Sequence, residues 1–298
     1  MNRASFAKML EPGLNTLFGL EYDSYPAEYE AVFESNTSQK AFEEDVLLAG
    51  FGSAPTKSEG SAISYDDAGQ QWTARYQHET VALAFSITEE AEEDGQYGSI
   101  ASRYTKALAR SMASTKEIKA ANVLNNATSA NIGDGTTLLS TSHPTQNGNQ
   151  SNTLATAADL SETSLEAILI QIADMKDERG LRIAAQGTKL VIPTAYTFVA
   201  ERLLESQLRT GTADNDINAI KSGGYLPKGY HVMRRLTDAD AFFVTTDVPD
   251  GLKMFQRSAL KKGMEGDFET GNVRYKVRER YSFGVTDWRG VFGSEGAA

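Results

Sequence analysis

A chain of 298 residues with 40% hydrophobic and 23% charged side chains can hold one large or two modest domains of ordinary globular balance. It contains no cysteine, which excludes disulfides, thiolate catalysis, zinc–cysteine sites and iron–sulfur clusters; no apolar run is long enough for a membrane span. The net charge of -11 sits at the front: residues 1–95 carry 18 acidic and 5 basic side chains, the remainder 22 and 24. A front half this acidic argues against a nucleic-acid reader, which needs a basic face to release counterions from phosphates. The opening MNRASFAKML has no apolar signal core, so a protein made in a reducing cytoplasm is expected.

Residues 1–50 read as short helical pieces broken by turns. Phe6, Met9 and Leu10 share a helical face that Pro12-Gly13 is expected to stop, and Leu14, Leu17, Phe18 and Tyr22 form a second amphipathic turn before Pro26. Neither piece is long enough to stand alone in water. Residues 51–86 change character. Two strand-like stretches, Ser61–Tyr65 and Gln71–His78, flank a linker of Asp66, Asp67, Ala68, Gly69 and Gln70, which predicts a hairpin. Its few large apolar residues, Ile63, Tyr65, Trp72 and Tyr76, cannot support a lone ribbon, so the segment is expected to pair with another surface.

Val81–Thr88 reads as a strand. The acidic run Glu89–Asp94 then precedes the longest helical pattern, about residues 97–126, where Ile100, Tyr104, Leu108, Met112, Ile118 and Leu124 recur at three to four spacing. Such a helix would span roughly 40 Å, the length of a strut. Residues 128–158 are polar loop. A second helix is predicted from Thr163 to Glu178, capped by Thr163 with Glu166 and closed at Gly180. Lys189–Ile192 is a short buried strand, and Pro193-Thr194 opens a further helix through Leu204. Residues 207–224 form a polar loop, and Tyr230–Phe292 is mostly strand, with turns at Asp238, Pro249-Asp250-Gly251, Gly271-Asn272 and Asp287. Helices and strands are segregated rather than alternating, which gives α+β as the class.

Chemistry is sparse. His78, His143 and His231 lie in separate segments with no ligand at i+3 or i+4, and each reads as a packing or surface residue. Gly50-Phe51-Gly52 starts like a glycine-rich loop but continues Ser53-Ala54-Pro55, a bend. Asp238-x-Asp240 and Asp214-x-Asp216 lack the Gly and distal Glu of a calcium loop. No catalytic, cofactor or metal residues are assigned. Between Leu252 and Arg280 stand 8 basic residues against 4 acidic ones, a counterpart for an acidic arm of a neighbouring copy.

Several stretches, in order, resemble the Hong Kong 97-type major capsid proteins of tailed bacteriophages. These are Phe85–Glu90 (FSITEE) through Asp94–Gly98 (DGQYG), then Asp134–Pro144 (DGTTLLSTSHP) followed by Gln150–Asn152, Lys189–Pro193 (KLVIP), and Gly284–Gly293 (GVTDWRGVFG). The resemblance covers roughly residues 45–298 and rests on the ordered set, not on one motif. It implies an N-terminal arm at 1–50, an extended loop at 51–86, a peripheral domain at 87–154 with its spine helix at 97–126, an axial domain at 155–250, and peripheral strands with the C-terminus at 251–298. It further implies a non-enzymatic subunit that assembles through pentamers and hexamers into an icosahedral shell around double-stranded DNA, without sequence-specific contact and without a membrane. The expected place is the virion, after assembly in the host cytoplasm.

The spine helix begins near residue 97 after Met1, leaving no room for a large pro-segment, so a separate scaffolding protein is expected, with a portal and a decoration protein as further partners. Lys57 is the one lysine of the loop that could crosslink. The residues expected at the subunit interface are Lys57, Glu59, Asp66, Asp67, Trp72 and Arg75 on the loop side, and Arg274, Lys276 and Arg278 on the basic side. An encapsulin-type nanocompartment shell shares the fold and remains the alternative, with a soluble hydrolase or binding protein behind it.

Overall fold

The computed structural model describes residues 3–88, 97–209, 216–266 and 272–297. The front of the chain forms α1 (Arg3–Asp23), β1 (Glu34–Thr37), β2 (Phe42–Leu48), β3 (Gln70–Gln77), β4 (Glu79–Ile87) and α2 (Tyr97–Asn125). The middle adds β5 (His143–Thr145), β6 (Gly148–Gln150), α3 (Glu162–Ala173), β7 (Gly187–Ile192), α4 (Thr197–Glu205) and α5 (Ala219–Gly223). The end is all strand: β8 (Tyr230–Val232), β9 (Phe242–Thr246), β10 (Leu252–Gly266), β11 (Val273–Val285) and β12 (Val291–Ser294).

Two four-stranded sheets organise the chain, in the orders β1-β10-β11-β4 and β12-β9-β7-β8. The first is built on the long antiparallel pair β10–β11. Tyr275, Val277, Glu279 and Tyr281 of β11 are buried while the alternate residues Arg274, Lys276 and Arg278 are exposed, the period of two that a one-sided sheet demands. Its buried face meets the front half of α2 through Leu108, Ala109 and Met112. The back half of α2 places Ala120, Ala121 and Leu124 in the other core, with Leu165, Ile168 and Ile172 of α3, Leu190 of β7, Phe242 of β9 and Trp288. One helix therefore ties both sheets together, which suits a strut.

Several local expectations need correction. Pro12 does not end a helix: α1 runs through it without a break. An interior proline loses one helical hydrogen bond and crowds the carbonyl four residues back, and burial of the face beyond it offsets that cost. Leu14 and Phe18 are buried against Ala101, Leu108 and Met112, and Lys262 Nζ donates to the Asn15 carbonyl at 2.8 Å. The hairpin pairs β3 with β2, in the register Phe42↔Gln77 to Leu48↔Gln70, and not with Ser61–Tyr65, which joins no strand. Residues 42–48 fall in the stretch read as short helical pieces, and pairing with β3 makes them a strand. The cap of α3 is Ser161 with Ser164, two residues earlier than Thr163 with Glu166. Ser161 Oγ accepts from the Ser164 amide at 3.2 Å, and Ser164 Oγ accepts from the Ser161 amide at 2.9 Å. That helix stops at Ala173, and Gly180 belongs to the following turn, where Lys176 bridges Arg182. The acidic run Glu89–Asp94, Asp214 and Gly271 lie outside the described residues.

Where the segment after α1 meets α2, Glu28 and Glu117 are both buried, and Glu117 Oε2 accepts from the Tyr29 amide at 3.1 Å. Glu28 is engaged by Arg234 Nη1 at 2.5 Å. Burial, reinforced by the neighbouring Glu28, pushes the Glu117 carboxyl up to about 7. A carboxyl raised in the folded state binds its proton more tightly there than when unfolded, so its stabilising contribution is complete below about 4.3 and is lost as pH rises through 7. Thermal unfolding of free subunits is expected at a lower Tm at pH 8 than at pH 5. Glu117→Gln should flatten that slope, and an unchanged slope in the variant would refute the assignment.

Candidate functional site

The β2–β3 hairpin is anchored at its root and free at its tip. Trp72 Nε1 donates to the Thr286 carbonyl at 3.0 Å, and the Tyr76 hydroxyl lies 2.6 Å from Thr286 Oγ1. Asp45 Oδ2 accepts from Lys253 Nζ at 2.7 Å and from Thr286 Oγ1 at 3.1 Å. The rings need close approach on both sides. A Cβ on Gly133 would come within 2.7 Å of Trp72, and one on Gly284 within 2.7 Å of Tyr76, so glycine is required at both positions. At the neck, the Ala49 amide donates to the Gly69 carbonyl at 2.7 Å. Asp66 Oδ2 accepts from the Gly52 amide at 2.7 Å, and Arg179 Nη2 donates to the Asp67 carbonyl at 2.6 Å. The Gly52 amide, with Arg179 beside it, holds the Asp66 carboxyl below the usual carboxylate range.

Beyond the neck the loop buries little. Phe51, Ile63 and Tyr65 are 60%, 69% and 96% exposed, a large apolar display for a segment with no core of its own. Lys57 and Glu59 are exposed with them. On the first sheet, Arg274, Lys276 and Arg278 form an exposed basic row, flanked across β4 by Ser86, Ala84 and Ala82. On the other side of the row, β10 sets Glu265, Gly263 and Lys261 opposite Arg274, Lys276 and Arg278.

The nine expected interface residues thus separate into four groups. Lys57 and Glu59 lie on the free loop, and Arg274, Lys276 and Arg278 share one sheet face. Asp66 and Asp67 touch Arg179 of their own chain. Trp72 and Arg75 sit at the hairpin root, Trp72 packed into the core and Arg75 with its guanidinium 4.0 Å from the Phe42 ring centroid. Sequence reasoning missed the buried polar knots that hold these parts. His143 is fully buried and stacked on Trp288 at 4.3 Å, with Nδ1 2.6 Å from Asp134 Oδ2 and Nε2 3.1 Å from Asn152 Oδ1. Arg289 is buried with Glu178 at 2.6 Å and Asp287 at 3.3 Å. The signal was present as the spacing Asp134…His143…Asn152 within segments already noted as similar to a family.

A family model described as phage capsid protein matches residues 72–293. The chain belongs to the phage capsid protein family. Solved structures agree in fold. Mycobacterium phage Adephagia is similar at a TM-score of 0.56 and 12% identity, covering 92% of this chain and 91% of that one. The capsid of an empty GTA particle is similar at 0.54 and 12%, covering 91% and 90%. A virus-like particle from Pyrococcus furiosus is similar at 0.52 and 10%, covering 94% and 97%. No curated protein sequence matches the chain. The fold of this capsid protein is the α+β Hong Kong 97-type, and family and fold together make it a major capsid protein. Among the described residues of the capsid protein, no group of three or more His, Asp or Glu side chains is placed to hold a metal ion.

Proposed function

We propose that this capsid protein builds an icosahedral phage head from pentamers and hexamers of itself, enclosing double-stranded DNA, as a structural component of the virion and not as an enzyme. The observation that carries the reading is the loop of residues 49–69. It is tied at the neck and exposes Phe51, Ile63 and Tyr65, with nothing among the described residues to cover them. A subunit that leaves such a patch open is completed by another copy, and a closed symmetric assembly repeats that contact many times. In this reading the segment 1–50 is the arm, 51–86 the extended loop, 87–154 and 251–298 the peripheral domain with α2 as its spine, and 155–250 the axial domain. A scaffolding protein, a portal and a decoration protein would be its partners, assembly would take place in the host cytoplasm, and the acidic front half would keep packaged DNA from sticking.

Lys57, Glu59, Asp66 and Asp67 together with Trp72 and Arg75 are assigned to the loop side of the contact, and Arg274, Lys276 and Arg278 to the receiving side. Since Asp66 also secures the neck, the cleaner variant is Glu59→Lys with Asp67→Lys, which leaves that bond in place. This variant is expected to yield few or no particles by sedimentation at physiological salt, with the Tm of free subunits unchanged. Normal particles from it would remove the acidic loop from the contact.

A further inference from the structure

Two features lack a strand partner among the described residues of one copy and match each other across two. The first is the stretch Ser61–Tyr65. It alternates Ile63 and Tyr65 with serine, a strand pattern, yet apart from the Ser61 amide, which donates to the Ser58 carbonyl, it pairs with no strand and leaves both apolar side chains exposed. The second is the outer edge of β4. Among the described residues β4 ends its sheet and bonds only to β11. Sheet edges are usually guarded by charge, proline or a bulge, whereas Val81–Ile87 (VALAFSI) has no charged residue, no proline and no glycine, and its pairing runs without a register shift. Such an edge invites a strand.

The two faces beside that edge specify which strand. On the face turned to α2, Leu83 lies opposite Val277 and Phe85 opposite Tyr275. Leu83 is still 45% exposed, and Tyr104, set edge-on to Phe85 at 5.7 Å, is 50% exposed. They make an apolar ledge just beyond the last strand. On the other face Ala82, Ala84 and Ser86 separate the edge from Arg278, Lys276 and Arg274. A strand added there needs apolar side chains on one face, small ones on the other, and acids nearby. Ser61–Tyr65 has these, with Ile63 and Tyr65 on one side, Ser64 and Ala62 on the other, and Glu59, Asp66 and Asp67 at its ends.

We propose that residues 61–65 of one copy add as a strand to the β4 edge of a second copy, seating Ile63 and Tyr65 on Leu83, Phe85 and Tyr104. Main-chain hydrogen bonds supply the affinity and the alternating side chains the register. The acids at the ends of the added strand then face the basic row. This inference rests on the loop-to-neighbour reading above and specifies its geometry.

The absence of cysteine from the chain makes a direct test available. Paired residues on adjacent antiparallel strands place their Cα atoms about 4.5–5.5 Å apart, within disulfide reach. The double variants Ile63→Cys with Leu83→Cys, and Ile63→Cys with Phe85→Cys, are assembled and oxidised beside a control, Ile63→Cys with Lys276→Cys. At least one of the first two should give linked dimers and larger species on non-reducing denaturing gels, from shells but not from free subunits, with the control unlinked. Linkage in the control alone, or in none of the three while shells form, overturns strand addition and leaves the loop-to-neighbour contact standing. If the wild-type protein forms no shells at all, the underlying reading fails with it. Should the cysteine variants not assemble, hydrogen exchange of the wild-type protein decides: amides of residues 61–65 and of 80–86 gain protection together on assembly, and unchanged exchange in either stretch overturns the inference.

Discussion

Asn152→Ala is expected to cost about 3–5 kcal/mol of subunit stability, more than any surface substitution, because one side chain satisfies two separated pieces of backbone. Asn152 is fully buried. Its Nδ2 donates to the Leu138 carbonyl at 2.6 Å and to the Val291 carbonyl at 2.9 Å. Its Oδ1 accepts from the Ser140 amide at 2.9 Å and meets His143 Nε2 at 3.1 Å. Truncation leaves those groups without their partner in a site too tight to collapse, since His143 and Trp288 are stacked there nearly parallel, at 4°. Asn152→Asp is nearly isosteric, yet it replaces two donors with an acceptor that faces two carbonyls, so it should lose about as much. Denaturant unfolding of free subunits measures both. A loss under about 1 kcal/mol in each would show that the post-helix loop does not depend on this residue.

The second large effect concerns Lys116 and Glu279, a buried pair 3.4 Å apart between α2 and β11. Lys116 Nζ also lies 5.1 Å and 5.2 Å from the ring centroids of Tyr29 and Tyr281, so the cation joins the segment after α1, the helix and the sheet. Lys116→Met leaves the Glu279 carboxylate buried with no opposite charge, and Glu279 Oε1 already has no partner. The expected loss is roughly 3–5 kcal/mol at pH 8. Replacing both, Lys116→Met with Glu279→Leu, should recover most of it, because breaking a buried pair costs far more than removing it whole. The pH sign is fixed by the same groups. Burial raises the Glu279 carboxyl and Lys116 lowers it, so without Lys116 its folded value climbs further. The single variant should therefore come closest to wild type in acid and fall away from it as pH rises through the raised carboxyl range of wild-type Glu279. A loss that is the same at pH 5 and pH 8 would contradict the pairing.

Much of the fold was legible because its longest elements carry strong local periodicity. The helix at residues 97–126 announced itself by apolar spacing and ends one residue earlier, at Asn125. The strand-rich end was visible in the alternation of Arg274, Lys276 and Arg278 with Tyr275 and Val277. What failed was pairing and tertiary override. Nothing local in Phe42–Leu48 says that it partners Gln70–Gln77 and not Ser61–Tyr65. Pro12 reads as a stop until Leu14 and Phe18 are seen buried on α2. A lone indole on a thin ribbon has no visible partner within the chain in sequence, so nothing local shows that Thr286, more than two hundred residues away, receives the Trp72 N–H. The polar knot around His143 escaped for a like reason: its members lie in loops, where period gives no guide to which side chains converge.

The most direct test of a shell-building role is electron microscopy of the purified protein, alone and after co-expression with a scaffolding protein. Closed icosahedral particles, or rings of five and six subunits, are the predicted result. A uniform population of single chains of 32.4 kDa under every condition would contradict it.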